Sequence, residues 1–182
     1  MHSEYLSYLE SKRYQTHHRT HFITITTDLE AAIKKSGVVR GIAVVQTSHT
    51  TCGVWVNEDE KNLVGTCEGL GYQSDIQKRL DRFASPTLEY GHNDICDARN
   101  TTGKRNTHLC EPDENGVIQE CINGHAHAQS LIIGPSLSLI VENGMWLRGT
   151  WQQLMLVELD HDRERTVSFL IQGVRGQASA SL

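Results

Sequence analysis

Residues 138–172 read SLIVENGMWLRGTWQQLMLVELDHDRERTVSFLIQ, and this stretch decides the fold class. Four β-rich runs follow one another here with short breaks: Ser138–Val141, Met145–Leu147, Gln153–Leu159 and Thr166–Gln172. Connections this short leave no room for the crossover helices that a doubly wound parallel sheet requires. The expectation is an α+β domain with a largely antiparallel or mixed sheet and a few helices.

Working outward, Val38–Thr47 and Gly53–Asn57 are further β-rich runs, separated by the polar elbow Ser48-His49-Thr50-Thr51. Thr16–Thr26 alternates Ile23 and Ile25 with threonines and predicts a strand. Thr27 with Glu30 three residues on predicts a capping box, opening a helix that runs through Lys35 and stops at Gly37. Glu58–Phe83 has mainly helical character, clearest over Asp75–Phe83, where Ile76, Leu80 and Phe83 recur at helical spacing. Gly124–Ile133 predicts another helix, ended by Gly134-Pro135. One domain over residues 1–173 is expected, with a long polar insertion at about 85–123 and a flexible tail at 174–182.

A 182-residue chain buries roughly 70% of its unfolded surface, enough for a substantial core. Its net charge of −5 argues against a broad nucleic-acid-binding face and leaves room for a local anion pocket. Met1–Tyr14 lacks the apolar segment of a secretory signal, and Leu131–Val141 is too short and too interrupted to span a membrane. The five cysteines form no CxxC, so buried or idle thiols in a cytoplasmic protein are expected, not a zinc ribbon or a disulfide scaffold. Gly103-Lys104 is followed by Arg105 and lacks the upstream glycine of a phosphate-binding P-loop.

The ten histidines are the compositional anomaly. His17, His18 and His21 alternate across a strand and read as surface residues; His2 and His108 fall in segments read as mobile. His49 stands in the hydroxyl-rich elbow, and His92 precedes Asp94 by two residues, a spacing that lets the carboxylate orient the imidazole. His125-Ala126-His127 lies on the predicted helix, where the two rings diverge and only one points inward. Three imidazoles from separate segments would make an open metal site. Glu158 shares a strand face with Leu154 and Leu156 and needs a buried partner, for which Arg163 and Arg165 are the candidates; a structural ion pair is the plain reading. Gly149-Thr150-Trp151-Gln152 reads as a tight hairpin whose polar groups are able to line a pocket. Arg99, Lys104 and Arg105 lie in the polar insertion, and Ile95–Ile122 is expected to act as a lid.

Taken in order, His49-Thr50-Thr51, Asn57-Glu58, Tyr90-x-His92-Asn93, Asn123-Gly124-His125-Ala126-His127, Gly149-Thr150-Trp151-Gln152 and Glu158 with Arg163-x-Arg165 resemble the YjbQ-like family. The resemblance spans about Thr20 to Gly173. It implies a homotrimer with a histidine-lined metal pocket near the subunit interface, the ligands being His49, His92 and His127. Imidazole ligands favour zinc or another divalent transition ion over magnesium, which prefers oxygen ligands. It further implies a secondary thiamine-phosphate synthase, which couples an aminopyrimidine-methyl pyrophosphate to a thiazole phosphate and releases pyrophosphate. On that reading Glu58, Asp94 and Glu158 are the catalytic candidates, and Thr50, Thr51, Asn57, Thr150, Gln152 and Arg163 bind the phosphorylated substrate. The chain departs from the family pattern in having Asp59-Glu60 where an Asp-Pro is expected, His161-Asp162 in place of a Gly-Pro, and a longer stretch between His92 and Asn123. A metal-dependent hydrolase with Glu58 as base and a non-catalytic trimeric binding protein are the alternatives; no nucleic-acid or membrane partner is expected.

Overall fold

A computed structural model describes residues 4–65, 74–93 and 122–175. Its strands are β1 (Tyr5–Gln15), β2 (His21–Thr24), β3 (Val38–Thr47), β4 (Cys52–Glu58), β5 (Ser136–Glu142), β6 (Met145–Trp146), β7 (Gln152–Glu158) and β8 (Glu164–Arg175). Its helices are α1 (Thr26–Ser36), α2 (Lys61–Val64), α3 (Asp75–Phe83) and α4 (Gly124–Ile133), with one 3₁₀ turn at Gly91–Asn93. The strands form two sheets, β1-β8-β3-β5-β6 and β2-β7-β4, and every pairing is antiparallel. The fold is α+β, and no helix among the described residues is long and apolar enough to cross a membrane.

The layers follow from which faces are apolar. Val45, Val167, Phe169 and Ile171 of the large sheet pack against Leu29 and Ile33 of α1 and against Val54, Leu154 and Leu156 of the small sheet. The opposite face of β7 carries Val157, which with Leu159 just beyond the strand packs against Leu80 of α3 and Ala126 of α4. Strand β7 is thus buried on both faces, as its unbroken apolar run requires. Near the far end of the large sheet, Gly41 lies directly opposite Gly173. A Cβ on Gly41 would run into the Gln172 carbonyl, and one on Gly173 into the Arg40 carbonyl.

Three expectations are corrected. Thr27 does not cap α1: the helix begins at Thr26 without a side-chain cap, and the Thr26 hydroxyl accepts from Leu154 N–H at 2.9 Å, tying α1 to β7. Glu30 pairs with Arg148 at 3.2 Å instead of closing a capping box. Gly149-Thr150-Trp151-Gln152 is a turn, with Gln152 N–H bonded to Gly149 O, but it joins β6 of one sheet to β7 of the other and closes no hairpin. The expected helix end at Gly37 is present, in the left-handed conformation that glycine tolerates (φ 69°).

Strand β1 went unforeseen. Its inward positions alternate Leu6, Tyr8 and Tyr14 with Glu10 and Lys12, whose charges pair with Lys35 and Asp28 at 2.8 and 2.5 Å. The close approach of β3 and β8 gives a direct test. Gly173→Ala should cost about 2–3 kcal/mol in denaturant unfolding through backbone overpacking; a loss below about 0.5 kcal/mol, an ordinary surface effect, would contradict the register.

Candidate functional site

Glu158 ends β7 and Arg165 lies at the start of β8, so their pairing joins the two sheets. Both Arg165 Nε and Nη2 donate to Glu158 at 2.6 Å. The carboxylate also accepts from the Thr16 hydroxyl and from the Leu159 and Asp160 backbone N–H groups, at 2.9–3.0 Å. Five donors saturate it, with no exposed surface. Glu158, named among the catalytic candidates, takes the arrangement of the plain reading, a buried ion pair, and serves as an anchor. Arg163 pairs elsewhere, with Asp160 at 3.0 Å.

The anchor reaches the elbow directly. Arg165 Nη2 donates to the Thr51 hydroxyl at 2.9 Å, and the neighbouring Thr166 N–H donates to His49 Nε2 at 3.0 Å. An imidazole that accepts at Nε2 carries its neutral-form proton on Nδ1. Burial and the Arg165 charge hold the His49 pKa below the usual histidine value, which preserves this neutral donor.

His49 opens onto a cavity of about 410 Å³ shared with Ser48, Thr50, His127 and Ser130. His127 meets His92 edge to face, with ring centroids 4.5 Å apart. Helix α4 does separate the two histidines of its first turn. His125 is buried and bonded to the Leu159 backbone, and its Nε2 is without a hydrogen-bond partner among the described residues. Thr50 is exposed at the cavity and Thr51 is buried beneath it. A groove of about 770 Å³ between α1 and the β5–β6 turn is larger, but none of the candidate residues lines it.

The remaining candidates lie elsewhere. Asn57 and Glu58 end β4 and pair in register with Gln153 and Gln152 of β7. Thr150 and Gln152 are exposed beside them, and the Gln152 side chain accepts from Gly149 N–H at 2.8 Å. These four residues stand at the opposite end of the small sheet from the histidines. Asp94 and residues 95–121 of the expected lid, with Arg99, Lys104 and Arg105, lie outside the described residues.

The expected zinc set was weighed against this geometry. Among the described residues no group of three or more His, Cys, Asp or Glu side chains is arranged to hold a metal ion. His49 has spent Nε2 on the Thr166 amide, and binding through Nδ1 would require that nitrogen to give up its proton. As placed, His49, His92 and His127 do not fit a metal.

A match to the family model described as UPF0047 protein YjbQ-like covers residues 10–174. The chain belongs to the UPF0047 YjbQ-like family. It is 27% identical over 165 residues to UPF0047 protein YugU of Bacillus subtilis, covering 91% of this chain and 99% of that protein. It is 26% identical over 166 residues to a UPF0047 protein of Methanothermobacter thermautotrophicus, covering 91% and 92%. Its fold matches the crystal structure of a YbjQ-like protein of unknown function from Sulfolobus solfataricus, with a TM-score of 0.71, 26% identity and coverage of 93% and 99%. It also matches that of an uncharacterized YjbQ/UPF0047 protein from Clostridium acetobutylicum, with a TM-score of 0.63, 28% identity and coverage of 89% and 98%. These matches establish family and fold, and leave the chemistry to the site.

Sequence reading placed His21 on the surface, and the structure corrects this. His21 is 5% exposed, takes a hydrogen bond from His17 N–H, and lies 4.7 Å from the His18 ring. Burial first, then the facing histidines, push its pKa down to about 4. A histidine whose folded pKa lies below its unfolded one contributes stability that is full above the unfolded value and lost as pH falls toward the folded one. Stability should therefore decline between about pH 6.5 and 4, by about 3 kcal/mol from His21 alone. Denaturant unfolding across that range checks this, and His21→Asn should flatten the decline; an unchanged slope in the variant would contradict it.

Proposed function

We propose that this protein is a transferase for small phosphorylated substrates, of the secondary thiamine-phosphate synthase type. The reaction forms a bond from the thiazole nitrogen to the aminopyrimidine methylene carbon and breaks that carbon's bond to pyrophosphate oxygen, and the bonding pair leaves with the pyrophosphate. The enzyme's task is then electrostatic: hold two phosphorylated groups and stabilise charge that develops as they exchange.

The observation that carries this reading is the cavity at His49, whose imidazole is locked as an Nδ1–H donor by the Thr166 amide. Hydroxyls of Ser48 and Thr50 add neutral donors around it, and His127 stands among them. Such a lining suits phosphate oxygens. Arg165, though withdrawn into its pair with Glu158, places a guanidinium directly behind the elbow. No step of the proposal passes through a metal.

The test is an assay with both phosphorylated substrates, run with chelator and separately with added zinc. Thiamine phosphate and pyrophosphate should appear in equal amounts. His49→Ala and His127→Ala should each lower the rate about 10²-fold or more, the scale of one lost donor to a developing anion. Release of phosphate from either substrate alone would favour the hydrolase instead, and no product under either condition would overturn the synthase reading.

A further inference from the structure

The groove of about 770 Å³ between α1 and the β5–β6 turn stands apart from the histidine cavity and shares no residue with it. A volume of this size is that of a small-molecule site. Ile33, Val38 and Trp146 belong to the core and also line the groove. Val39, Met145 and Leu147 extend the apolar lining, and the last two are 65% and 57% exposed.

Two donors in this lining have nothing to bond. The Trp146 indole N–H is buried and has no hydrogen-bond partner among the described residues. Buried donors are almost always paired, so an unpaired one needs an acceptor from outside the chain. The Lys34 ammonium likewise makes no ion pair or hydrogen bond among the described residues. The other charges of the groove are matched, Glu30 with Arg148 at 3.2 Å and Glu142 with Arg40 at 2.8 Å. The lining is thus left with one uncompensated charge, and it is positive.

We propose that this groove is a ligand site of its own and that its ligand is an apolar carboxylate. A carboxylate is charged and acceptor-only, so it answers both an ammonium and an indole N–H. Its hydrocarbon part would continue the core outward along Ile33, Val38, Met145 and Leu147. The α1 wall from Glu30 to Gly37 runs about 10 Å, room for an extended medium-chain acid. A phosphate would call for more donors than these two, and an amine would meet the wrong charge. Arg148 is not the recognising cation. Its guanidinium lies 5.5 Å from the Trp146 ring centroid, pairs with Glu30 and donates to the Gln152 carbonyl at 3.0 Å.

The test follows the indole N–H signals of the ¹⁵N-labelled full chain, which has three tryptophans, as octanoate is added. The Trp146 signal, assigned by its loss in Trp146→Phe, should move saturably while those of Trp55 and Trp151 hold still. Lys34 is exposed, so Lys34→Gln leaves the core intact; it should weaken octanoate binding about 10-fold, the scale of one lost bond to a charged group. Octanol, with the same hydrocarbon chain and no charge, should bind more weakly than octanoate by a similar factor. His49→Ala should bind octanoate as the wild type does. Loss of binding in that variant would put the acid in the histidine cavity and overturn the proposal. Equal binding of octanol and octanoate, or an unmoved Trp146 signal, would also overturn it. So would a Trp146 signal that answers to protein concentration and not to octanoate, because a second copy would then fill the groove.

Discussion

A buried carboxylate–guanidinium pair governs the arrangement of this protein. Taking two charges out of water costs several kcal/mol per ion, and their attraction offsets this only when every remaining lone pair and N–H is also satisfied. Glu158 meets that condition through Arg165, Thr16 and two backbone amides. The partners come from three separate parts of the chain, the turn after β1, the residues just past β7 and the start of β8, and Arg165 in turn holds Thr51 of the elbow before β4. Satisfying one carboxylate therefore fixes how the two sheets meet. Removing either partner alone would strand a buried charge, so the pair is better understood as a specifier of geometry than as a source of net stability.

His49 inherits its chemistry from that geometry. Its hydrogen-bond acceptor role is set by the Thr166 amide, one residue from Arg165, and its pKa is lowered first by burial and then by the nearby guanidinium charge. The same logic of neutral, enclosed imidazoles recurs at His21 and His125, whose pKa values are also pushed down chiefly by burial. Three of the ten histidines are thus held toward the neutral form by burial. The site gains hydrogen-bond direction from these rings more than it gains charge.

Elements whose apolar period matches their burial were legible in sequence: Val38–Thr47, Asp75–Phe83 and Gly124–Ile133 have the bounds that the pattern gives. Strand β1 was not, because Glu10 and Lys12 occupy inward positions that only Lys35 and Asp28, distant in sequence, make tolerable. Sequence named both possible partners of Glu158 but could not choose between Arg163 and Arg165, since the choice depends on which strand turns toward β7. Nor could it show that Thr150 and Gln152 stand a strand's length from the histidines, because a tight turn looks the same whether it joins two strands of one sheet or passes between sheets. The divergence of His125 and His127 was readable, being a property of the helix itself.

The central claim is that the Glu158–Arg165 pair fixes His49 as an Nδ1–H donor whose Nε2 accepts from Thr166. Long-range ¹H–¹⁵N correlation of the histidine rings, recorded on the wild type and on Arg165→Lys at pH 7.5, measures this directly. The account predicts the Nδ1–H tautomer for His49 in the wild type, with an unprotonated Nε2, and a mixture of tautomers in the variant. An Nε2–H tautomer in the wild type, or an identical ring signature in both proteins, would contradict it.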